Sequence, residues 1–409
     1  MKPTIITGQQ IGLLGGPLYT TYKVLGAIHL ARQLGGKAVY WIETNDADFN
    51  EINHLEYLDV EGQLRSLTWE MNSQGYSCGQ IEIDRSLCDL LTQFFDTLRQ
   101  TEFTPALRDM ALRCYAPGRT LGEASRLLAQ ELFGRFGVEL FDPSTPEFKA
   151  FIKPMLLHEA EQTPVGEQGN FFCMIGKKRM AVFRDEQGFA LRDGTRVNLV
   201  ECELVPNVKT RNVCQDAYFQ THTYIAGPGE IAYIRELDAQ YARHGVKKAD
   251  VTPRMSVTLI EPKAARLMQK QQIALDDALT LEKTALAQHI VKTQTGFDFK
   301  ALTQQTSELT RAYFAQLRAT GAAIERPFEN AVLQALKEAL GQQRAQEKAR
   351  AEKLRAAAES LSDLLLPFGQ KQERVFNLFY YMNLYGGLAF VDWLFERYDP
   401  TRNILEITG

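Results

Sequence analysis

Glycine and glutamine are concentrated in one segment near the N-terminus, which is the strongest candidate for a ligand-binding loop. The segment reads Thr7-Gly8-Gln9-Gln10-Ile11-Gly12-Leu13-Leu14-Gly15-Gly16-Pro17. Glycine allows a backbone to turn sharply and to approach a bound molecule closely. A helix that begins near Pro17 would direct free N–H groups and the positive end of its dipole at an anion. The segment contains neither a Walker A motif nor GxGxxG, so an ordinary tight turn is the alternative.

A second candidate loop combines acids, asparagines and a histidine. It reads Glu43-Thr44-Asn45-Asp46-Ala47-Asp48-Phe49-Asn50-Glu51-Ile52-Asn53-His54. Carboxylates and amides bind amines, hydroxyl groups and cations, and a carboxylate or a histidine can transfer a proton. The alternative is that Asp46, Asp48 and Asn50 cap a helix and solvate a surface turn. His54 by itself fits a ligand and a structural histidine equally well.

A third segment repeats the order of strand, glycine and helix. It reads Ile225-Ala226-Gly227-Pro228-Gly229-Glu230. An acid in the first turn of a helix usually compensates the helix dipole. At a pocket, Glu230 would instead bind the ammonium group of a substrate. Three segments of the chain therefore carry the candidate chemistry.

The elements that must position these loops begin with a strand–helix–strand unit. Thr4-Ile5-Ile6 predicts a short strand, and Pro17 is well placed as the first residue of a helix that ends at Gly35. Residues 38–42 predict a buried strand. Such a unit implies parallel strands joined by a right-handed crossover. Loops at the carboxyl ends of such strands line one crevice, so we expect the glycine-rich and acidic loops to face the same pocket.

Similar units follow along the chain. A helix over 121–136 precedes a strand at 138–141, and the strand 223–226 precedes helical residues up to about 243. Alternation between about 165 and 205, with a turn at Asp185-Glu186-Gln187-Gly188, predicts a β-hairpin insertion. We therefore predict an α/β fold in which residues 1–260 form a Rossmann-like parallel-sheet core with small insertions.

Residues 261–366 have a different composition, dominated by Ala, Gln, Glu, Lys, Leu and Arg, with Pro327 as the only proline between positions 263 and 366. Heptad-like spacing relates Leu275, Leu279, Leu286 and Ile290, and again Leu333, Leu340, Leu354 and Leu361. This pattern predicts a long α-helical coiled-coil arm, divided near Gly296 and Pro327 into about three helices. The arm would pair across a homodimer, or alternatively within the chain. Residues 367–409 are rich in aromatics and are predicted to pack back on the core.

Composition excludes several classes of protein. A net charge of −4 and a pI near 6 argue against nucleic acid or an anionic membrane as the main partner. The N-terminus does not resemble a secretion signal, and no run of about 18 apolar residues occurs, so we expect a cytoplasmic protein. Six scattered cysteines indicate reduced thiols. The histidine spacing gives no metal site, and no hydrolase or kinase motif occurs.

Ordered blocks of residues resemble the bacillithiol biosynthesis cysteine-adding enzyme family. The first blocks are Thr7-Gly8-Gln9-Gln10-x-Gly12-Leu13-x-x-Gly16-Pro17-Leu18-Tyr19-Thr20-x-Tyr22-Lys23, then Trp41-Ile42 with Asp48-Phe49-x-Glu51-Ile52-Asn53-His54. Later blocks are Pro206-Asn207-Val208, Gln215-Asp216, Tyr224 to Tyr233, Pro253 to Glu261, Pro367-x-Gly369-x-x-Gln372-Glu373-Arg374-Val375-x-Asn377 and Tyr385-Gly386. Blocks that span nearly the whole chain are more specific than any single motif in it.

The resemblance implies a Rossmann-like core, a coiled-coil arm and a dimer built through that arm. It implies a carbon–nitrogen ligase that joins cysteine to the amino group of glucosaminyl-malate, the last step of bacillithiol biosynthesis. Both substrates are small molecules, and neither nucleic acid nor a membrane is an expected partner. Amide formation from a free carboxylate is uphill at neutral pH, so ATP is the suspected activating cosubstrate.

The resemblance also suggests roles for particular residues. Asp48 and Glu230 would hold amine or hydroxyl groups, and His54 would move a proton, which makes these three the catalytic candidates. The substrate-binding candidates are Thr7, Gly8, Gln9, Gln10, Gly16, Tyr19, Asn53 and Gly227. The nucleotide-binding candidates are Gln372, Glu373, Arg374 and Asn377. Ion pairing on a helix surface is the alternative for this last group.

Two features depart from the family pattern. Ala47 stands where the family has a histidine, and the chain begins almost at the first strand, where relatives carry an N-terminal extension. Another amino-sugar or thiol acceptor is therefore an alternative substrate. The alternatives from other classes are a non-catalytic ligand-binding or scaffold protein and a nucleotidyl transferase with another acceptor.

Overall fold

Alternating strands and helices occupy the first two thirds of the chain, and helices dominate the rest. The computed structural model describes residues 2–294, 299–321 and 326–407. The strands are β1 (Thr4–Gln10), β2 (Lys37–Glu43), β3 (His54–Leu58), β4 (Leu64–Thr68), β5 (Glu139–Phe141), β6 (Gln168–Ile175), β7 (Lys178–Asp185), β8 (Gly188–Ala190), β9 (Arg196–Val197), β10 (Glu203–Pro206), β11 (Thr223–Ala226), β12 (Asp250–Pro253), β13 (Thr258–Ile260) and β14 (Ile404–Glu406).

The helices complete this framework. They are α1 (Leu18–Gln33), α2 (Arg85–Thr97), α3 (Thr104–Cys114), α4 (Leu121–Phe133), α5 (Pro146–Glu161), α6 (Arg211–Phe219), α7 (Pro228–Arg235), α8 (Asp238–His244), α9 (Pro262–Gln271), α10 (Leu275–Thr280), α11 (Lys283–Gln294), α12 (Phe299–Ala319), α13 (Arg326–Leu365), α14 (Leu378–Tyr385) and α15 (Ala389–Glu396). Short 3₁₀ helices lie at Leu13–Gly15, Phe49–Glu51, Cys78–Gln80, Gly134–Phe136, Pro367–Gly369 and Gln372–Arg374.

A five-stranded parallel sheet has the strand order β12-β11-β1-β2-β5. From β1 the chain continues to one side through β2 and β5, and it later returns to the other side through β11 and β12. The order therefore reverses between β1 and β11, which makes their carboxyl ends a topological switch point. In β2 the five residues from Ala38 to Ile42 are all buried, as expected for a parallel strand covered on both faces. The predicted Rossmann-like α/β fold is confirmed.

The first strand is longer than predicted. β1 continues to Gln10 and pairs with β2 from Thr4 opposite Lys37 to Gln10 opposite Glu43. Thr7 to Gln10 therefore lie in the strand, and the turn begins only at Ile11. Ladder hydrogen bonds to β2 compensate for the low strand propensity of Gly8. The two glutamines therefore lie at the carboxyl end of this strand.

Two of the N–H groups that were predicted to be free at the start of the first helix are hydrogen-bonded. α1 begins at Leu18, with Pro17 preceding it rather than forming its first residue. The Leu18 N–H donates to the Phe376 carbonyl at 2.9 Å, and the Thr20 N–H donates to the Pro17 carbonyl at 3.0 Å. These two donors are satisfied within the fold, so neither of them is free to bind an anion.

The predicted hairpin insertion is a larger sheet. Strands β6 to β10 form an antiparallel sheet with the order β10-β6-β7-β8-β9. The predicted turn joins β7 to β8, because Asp185 pairs with Gly188 across it. Phe171, Cys173 and Val182 of this sheet are buried in one hydrophobic cluster with Ile6 and Trp41 of the parallel sheet. The insertion is therefore packed on the core.

The chain divides into two units. The first contains the residues up to Leu259 together with Lys371–Leu405, and the second contains Ile260–Gln370. In the first unit, Phe376, Phe379 and Tyr381 are completely buried. The aromatic tail thus contributes a continuous apolar segment to the unit that holds the parallel sheet.

The second unit is helical. α9, α10, α11 and α12 each contact α13, whose 40 residues make it the longest helix described. Leu354, Leu361 and Leu365 are buried along it, and Leu286 and Ile290 are buried on α11. The described residues of this unit form five α-helices, where the sequence predicted about three. The predicted break at Gly296 lies outside the described residues. No helix among the described residues has the length and apolar character needed to cross a membrane.

Candidate active site

A cavity of about 650 Å³ opens at the carboxyl ends of β1, β2 and β11, within the first unit. Its lining residues are Gly8, Gln9, Gln10, Tyr19, Glu43, Asp46, Gln168, Phe172, Arg179, Pro206, Asn207, Val208, Arg211, Gly227, Pro228, Gly229, Glu230, Tyr233 and Arg374. The volume falls in the usual range for small-molecule sites, and the position matches the switch point of the sheet. This cavity is the candidate active site.

Asp46 connects the acidic loop to the insertion sheet. Its Oδ1 accepts a hydrogen bond from Arg179 Nη2 at 2.7 Å, and its Oδ2 accepts one from Gln10 Nε2. Gln10 Nε2 also donates to Glu51 Oε2 at 2.7 Å. Partial burial tends to raise the pKa of Asp46, but the Gln10 hydrogen bond and the Arg179 charge outweigh it and lower this pKa. Asp46 is therefore a carboxylate at neutral pH.

Glu43 ends β2 and has a contrasting environment. Its Oε2 accepts from Trp41 Nε1 at 2.9 Å and its Oε1 accepts from the Asn45 N–H at 3.1 Å. Burial raises the pKa of Glu43, although the nearby Arg211 charge and the Trp41 hydrogen bond oppose the rise. A carboxyl group with a raised pKa that lines a cavity is a candidate for proton transfer.

Lys23 of α1 lies beneath the cavity and is 1% exposed. Its Nζ donates to the Gly8 carbonyl, to Gln9 Oε1 at 3.0 Å and to Glu230 Oε2 at 2.7 Å. Burial lowers the pKa of Lys23, and the Glu230 charge opposes this effect. Because Oε1 of Gln9 accepts from Lys23, the amide of Gln9 is oriented with Nε2 toward Tyr19 Oη, at 3.3 Å.

Glu230 closes the turn after β11. Its Oε2 accepts from the Gly227 N–H at 2.8 Å as well as from Lys23, and its Oε1 accepts from Tyr224 Oη at 2.9 Å. Burial tends to raise the pKa of Glu230, but the Lys23 charge and the Gly227 N–H outweigh it, so this pKa is lowered. Glu230 thus both caps α7, as an acid in a first turn usually does, and lines the cavity.

The cavity includes six of the predicted site residues from the first and third segments and the start of α1, and a seventh from the C-terminal group. These are Gly8, Gln9, Gln10, Tyr19, Gly227, Glu230 and Arg374. Thr7 instead lies buried in β1, where its Oγ1 donates to the Ile225 carbonyl at 2.9 Å. Gly16 lies in the turn after β1, and its carbonyl accepts from Asn377 Nδ2 at 3.0 Å.

Three predicted residues of the acidic loop do not line the cavity. Asp48 is exposed, and its N–H faces Asp46 Oδ1 at 3.4 Å. Asn53 is buried and donates to the Trp69 carbonyl, while His54 begins β3. The loop turns at Asp46, whose carbonyl accepts from the Cys78 N–H, so the residues beyond it leave the cavity. Of the acids in this loop, Glu43 and Asp46 are the ones that line it.

Three of the four residues predicted to bind a nucleotide form hydrogen bonds with other parts of the fold. Gln372 exchanges hydrogen bonds with the Leu259 backbone, and Glu373 forms a buried ion pair with Arg254 at 2.7 Å. Asn377 caps α14 and donates to the carbonyls of residues 13, 14 and 16. Only Arg374 of the four reaches the cavity. Most polar atoms of Gln372, Glu373 and Asn377 therefore form hydrogen bonds within the fold.

Sequence reasoning missed several lining residues that come from distant segments. Gln168, Phe172 and Arg179 belong to the insertion sheet, while Asn207 and Arg211 precede or begin α6. Asn207 and Lys23 stood inside the family-like blocks, which was the available signal for them. Arg179 and Arg211 carry no local sequence signal.

A parallel sheet with a mixed-charge cavity at its switch point defines a Rossmann-like α/β protein with a small-molecule site. Comparison with known families specifies it further. The model of the bacillithiol biosynthesis BshC N-terminal Rossmann-like domain matches residues 2–200 and 163–255, and the model of the BshC C-terminal coiled-coil domain matches residues 257–404. The chain belongs to the BshC family.

Individual relatives agree with this assignment. The chain is 27% identical to the "Putative cysteine ligase BshC" of Salinibacter ruber, over 93% of this chain and 78% of that protein. It is 29% identical to the protein of the same name from Chlorobaculum tepidum, over 93% of this chain and 78% of that protein. Solved structures are only weakly similar, as with a glutamate tRNA ligase from Elizabethkingia meningosepticum, which is 15% identical with a TM-score of 0.23 over 64% of this chain and 50% of that chain.

Proposed function

We propose that the chain is a carbon–nitrogen ligase that joins the carboxyl group of cysteine to the amino group of glucosaminyl-malate. The observation that carries the proposal is the mixed lining of the cavity, where carboxyl groups and guanidinium groups share about 650 Å³. Each substrate carries both an ammonium group and at least one carboxylate, so each needs acceptors and cations together. The names of the relatives support the same reaction class.

Glu43 is the proposed general base. The sugar amine attacks the cysteine carbonyl only after its ammonium group has lost a proton. Glu43 lines the cavity and has a raised pKa, so its carboxylate can take that proton and later release it. Asp46, which remains ionised, holds the ammonium group before transfer.

Gln9 and Tyr19 are the proposed hydrogen-bond donors to the reacting carbonyl oxygen. Lys23 fixes the Gln9 amide with Nε2 toward Tyr19 Oη, which leaves the Tyr19 hydroxyl hydrogen free to point into the cavity. A donor held in place before the reaction stabilises developing negative charge without reorganisation. An amide bond forms, and the former carboxylate oxygen leaves with the group that activated it. ATP is the proposed source of that group, and no residue set is assigned to it.

The direct test is to incubate the protein with ATP, cysteine and glucosaminyl-malate and to search for the coupled thiol by mass spectrometry. A product with the mass of both substrates less water supports the ligase. Consumption of ATP without a coupled thiol would indicate a nucleotidyl transferase with another acceptor. Binding of the amino sugar without turnover would indicate the non-catalytic alternative.

A variant pair tests the residue roles in the same assay. Glu43→Gln removes the base and one of its two acceptor oxygens while keeping the size of the side chain, so kcat should fall by about 100-fold or more. The matched control is Glu56→Gln, a carboxyl on β3 that does not line the cavity. Equal kcat values for the two variants would refute the role of Glu43.

A further inference from the structure

The cations at or beneath the cavity are Lys23, Arg179, Arg211 and Arg374, and two of these four have a carboxylate partner. Arg179 pairs with Asp46, and Lys23 pairs with Glu230, each at 2.7 Å. Arg211 differs from both, because among the described residues no carboxylate lies within ion-pair distance of it. Glu43 and Glu230 both lie in its electrostatic surroundings. The oxygens of Glu43 accept from Trp41 and Asn45, and those of Glu230 accept from Lys23, Tyr224 and Gly227, rather than from Arg211.

The contacts of Arg211 are neutral and long. Nη1 donates to Gln215 Oε1 at 3.3 Å, and Nη2 faces the Asn212, Tyr224 and Tyr233 oxygens at 3.2 to 3.4 Å. Hydrogen bonds from a guanidinium to an anion normally have donor–acceptor distances near 2.7 to 2.9 Å. The contacts of Arg211 are roughly 0.5 Å longer than such charge-assisted bonds. The protein therefore holds the guanidinium without neutralising it.

Aromatic rings fix the position of this guanidinium. Its Cζ lies 5.8 Å from the Trp41 ring centroid and 5.7 Å from the Tyr224 ring centroid. Cation–π contacts of this kind restrain a guanidinium without consuming its hydrogen-bond donors. Arg211 is also partly exposed at the cavity, so a ligand can reach it.

Gly8 leaves the space beside Arg211 open. A Cβ atom at position 8 would lie 3.2 Å from Nη1 of Arg211 and 3.3 Å from Tyr224 Oη. Both distances are tighter than ordinary contacts, so any side chain there would press against the guanidinium. The absence of a side chain on β1 thus preserves access to the cation.

We propose that Arg211 is the anchor for a carboxylate of the malyl group of the amino-sugar substrate. This inference rests on the proposed function, which supplies the substrate. A partly buried guanidinium without a counter-ion is costly, and a ligand carboxylate removes that cost through a bidentate pair. The cysteine carboxyl is consumed in the reaction, whereas the malyl carboxylates keep their charge from substrate to product. A permanent cation therefore matches the malyl group.

The test measures binding by isothermal titration calorimetry, using glucosaminyl-malate and methyl glucosaminide, which lacks both carboxylates. Wild-type protein should bind glucosaminyl-malate more tightly than methyl glucosaminide. In Arg211→Gln, the Kd for glucosaminyl-malate should rise on the order of 10- to 100-fold, and that for methyl glucosaminide should change by less than about 2-fold. The matched control is Arg192→Gln, an exposed arginine outside the cavity lining, which should leave both Kd values unchanged.

Two further ligands test whether Arg211 binds a carboxylate or a phosphate group. ATP and inorganic phosphate are titrated into the same proteins, and their Kd values should not respond to Arg211→Gln. The proposal is overturned if Arg211→Gln binds glucosaminyl-malate as tightly as wild type, or if it loses affinity for ATP to the same extent. Circular dichroism checks that the variant folds. If it does not fold, Arg211→Lys replaces it, with a loss on the order of 10-fold expected for glucosaminyl-malate alone, because lysine keeps the charge but not the bidentate geometry.

Failure of this inference is distinguishable from failure of the ligase proposal. Binding dependent on Arg211 without any coupled thiol would refute the ligase and leave the anchor standing. Coupling by Arg211→Gln with an unchanged KM for glucosaminyl-malate would refute the anchor and leave the ligase standing.

Discussion

At the scale of single residues, two aspartates two positions apart in the acidic loop have different surroundings. Asp46 lines the cavity and pairs with Arg179, whereas Asp48 is exposed. A carboxylate that is held by neighbours and reaches the cavity can act on a ligand, while a solvated one contributes little. The two residues therefore form a matched pair for mutagenesis.

The first prediction concerns this pair. Asp46→Asn should lower kcat/KM for glucosaminyl-malate by roughly 10- to 100-fold, because it removes a charged acceptor from the cavity. Asp48→Asn should change kcat/KM by less than about 2-fold, as is usual for an exposed site. The measurement is steady-state formation of the coupled thiol. A larger loss in Asp48→Asn than in Asp46→Asn would restore Asp48 as the functional acid.

The second prediction concerns the buried pair of Lys23 and Glu230. Lys23→Met leaves Glu230 without its counter-ion, so the free energy of unfolding should fall by about 3 kcal/mol. The double variant Lys23→Met with Glu230→Gln should regain much of this loss, because the uncompensated charge is gone. Urea denaturation of the single and double variants measures the coupling free energy between Lys23 and Glu230.

A surface ion pair supplies the control for this cycle. Lys37 and Glu139 lie 3.3 Å apart, with about half of each side chain exposed (50% and 48%). Lys37→Met should therefore cost less than about 1 kcal/mol. Similar losses for Lys23→Met and Lys37→Met would show that burial does not strengthen the first pair.

At the scale of elements, the acidic loop is held by a neighbouring turn. The N–H groups of Cys78 and Gly79 donate to the carbonyls of Asp46 and Thr44, at 2.6 and 2.9 Å. A Cβ atom on Gly79 would lie 2.5 Å from Thr44 Cβ and 2.8 Å from the Thr44 carbonyl oxygen. The close approach of the two backbones therefore requires glycine at position 79.

The third prediction follows from this approach. Gly79→Ala should lower the free energy of unfolding by about 1 to 3 kcal/mol and displace Asp46 from the cavity, because the turn must move away from Thr44. Gly341→Ala is the control, since Gly341 is exposed on α13 and a Cβ there meets nothing within 4 Å. That variant should be stabilised by up to about 1 kcal/mol. Thermal unfolding measures the change in stability, and the Kd for glucosaminyl-malate reports the displacement of Asp46. Unchanged values of both in Gly79→Ala would show that the turn does not require glycine at position 79.

Another contact between elements joins α5, α8 and the insertion sheet through Glu159. Its oxygens accept from Arg243 Nη1 at 2.6 Å, from Asn170 Nδ2 at 2.6 Å and from the ring of His244 at 3.0 Å. Burial opposes ionisation, but these hydrogen bonds outweigh it and lower the pKa of Glu159 from 4.5 to about 2. The native state therefore favours the ionised carboxylate.

The fourth prediction is a dependence of stability on pH. The pKa of Glu159 is lower in the native state than in the unfolded state. The contribution of Glu159 to the free energy of unfolding is therefore complete above pH 4.5 and is lost as the pH falls toward about 2. Integrated over this window, the loss is on the order of 3 kcal/mol. In Glu159→Gln, the free energy of unfolding should be lower at pH 7, and its decline between pH 4.5 and 2 should be smaller than in wild type. If the free energy of unfolding declined with pH to the same extent in both proteins, Glu159 would not be the source of the pH dependence.

At the scale of the whole molecule, the second unit has exposed apolar side chains that fit an interface. Leu309 and Tyr313 of α12 are 71% and 59% exposed, and Phe328 of α13 is 61% exposed. Leu309 and Tyr313 are four positions apart and so lie on one face of their helix. Large apolar side chains exposed together are a common mark of an association surface.

The fifth prediction is that the chain forms a homodimer through this surface. Multi-angle light scattering should give twice the chain mass for wild type and a lower mass for Leu309→Lys combined with Tyr313→Lys, because two buried charges oppose association. Val200→Lys, at an equally exposed valine of the first unit, should remain dimeric. A monomeric wild type, or a dimer that is unchanged when residues 263–361 are removed, would exclude this interface.

Local pattern was enough for much of the architecture. β-branched runs followed by glycine marked β1 and β11, the heptad leucines marked the helical unit, and ordered blocks marked the family. These features are encoded by neighbours in the chain, since strand and helix periods and turn residues act over only a few positions. The glycine-rich and glutamine-rich strand and the third turn were likewise recognisable as parts of the site.

Only the tertiary structure decided which charged groups meet. Arg179 reaches Asp46 from 133 positions away, and Lys23 reaches Glu230 from 207 positions away. It was also the fold that turned Asp46 into the cavity and Asp48 out of it, and that left Arg211 without a carboxylate. Pairings of this kind depend on how distant segments pack, and burial then sets the strength of each charge, so spacing along the chain cannot determine them.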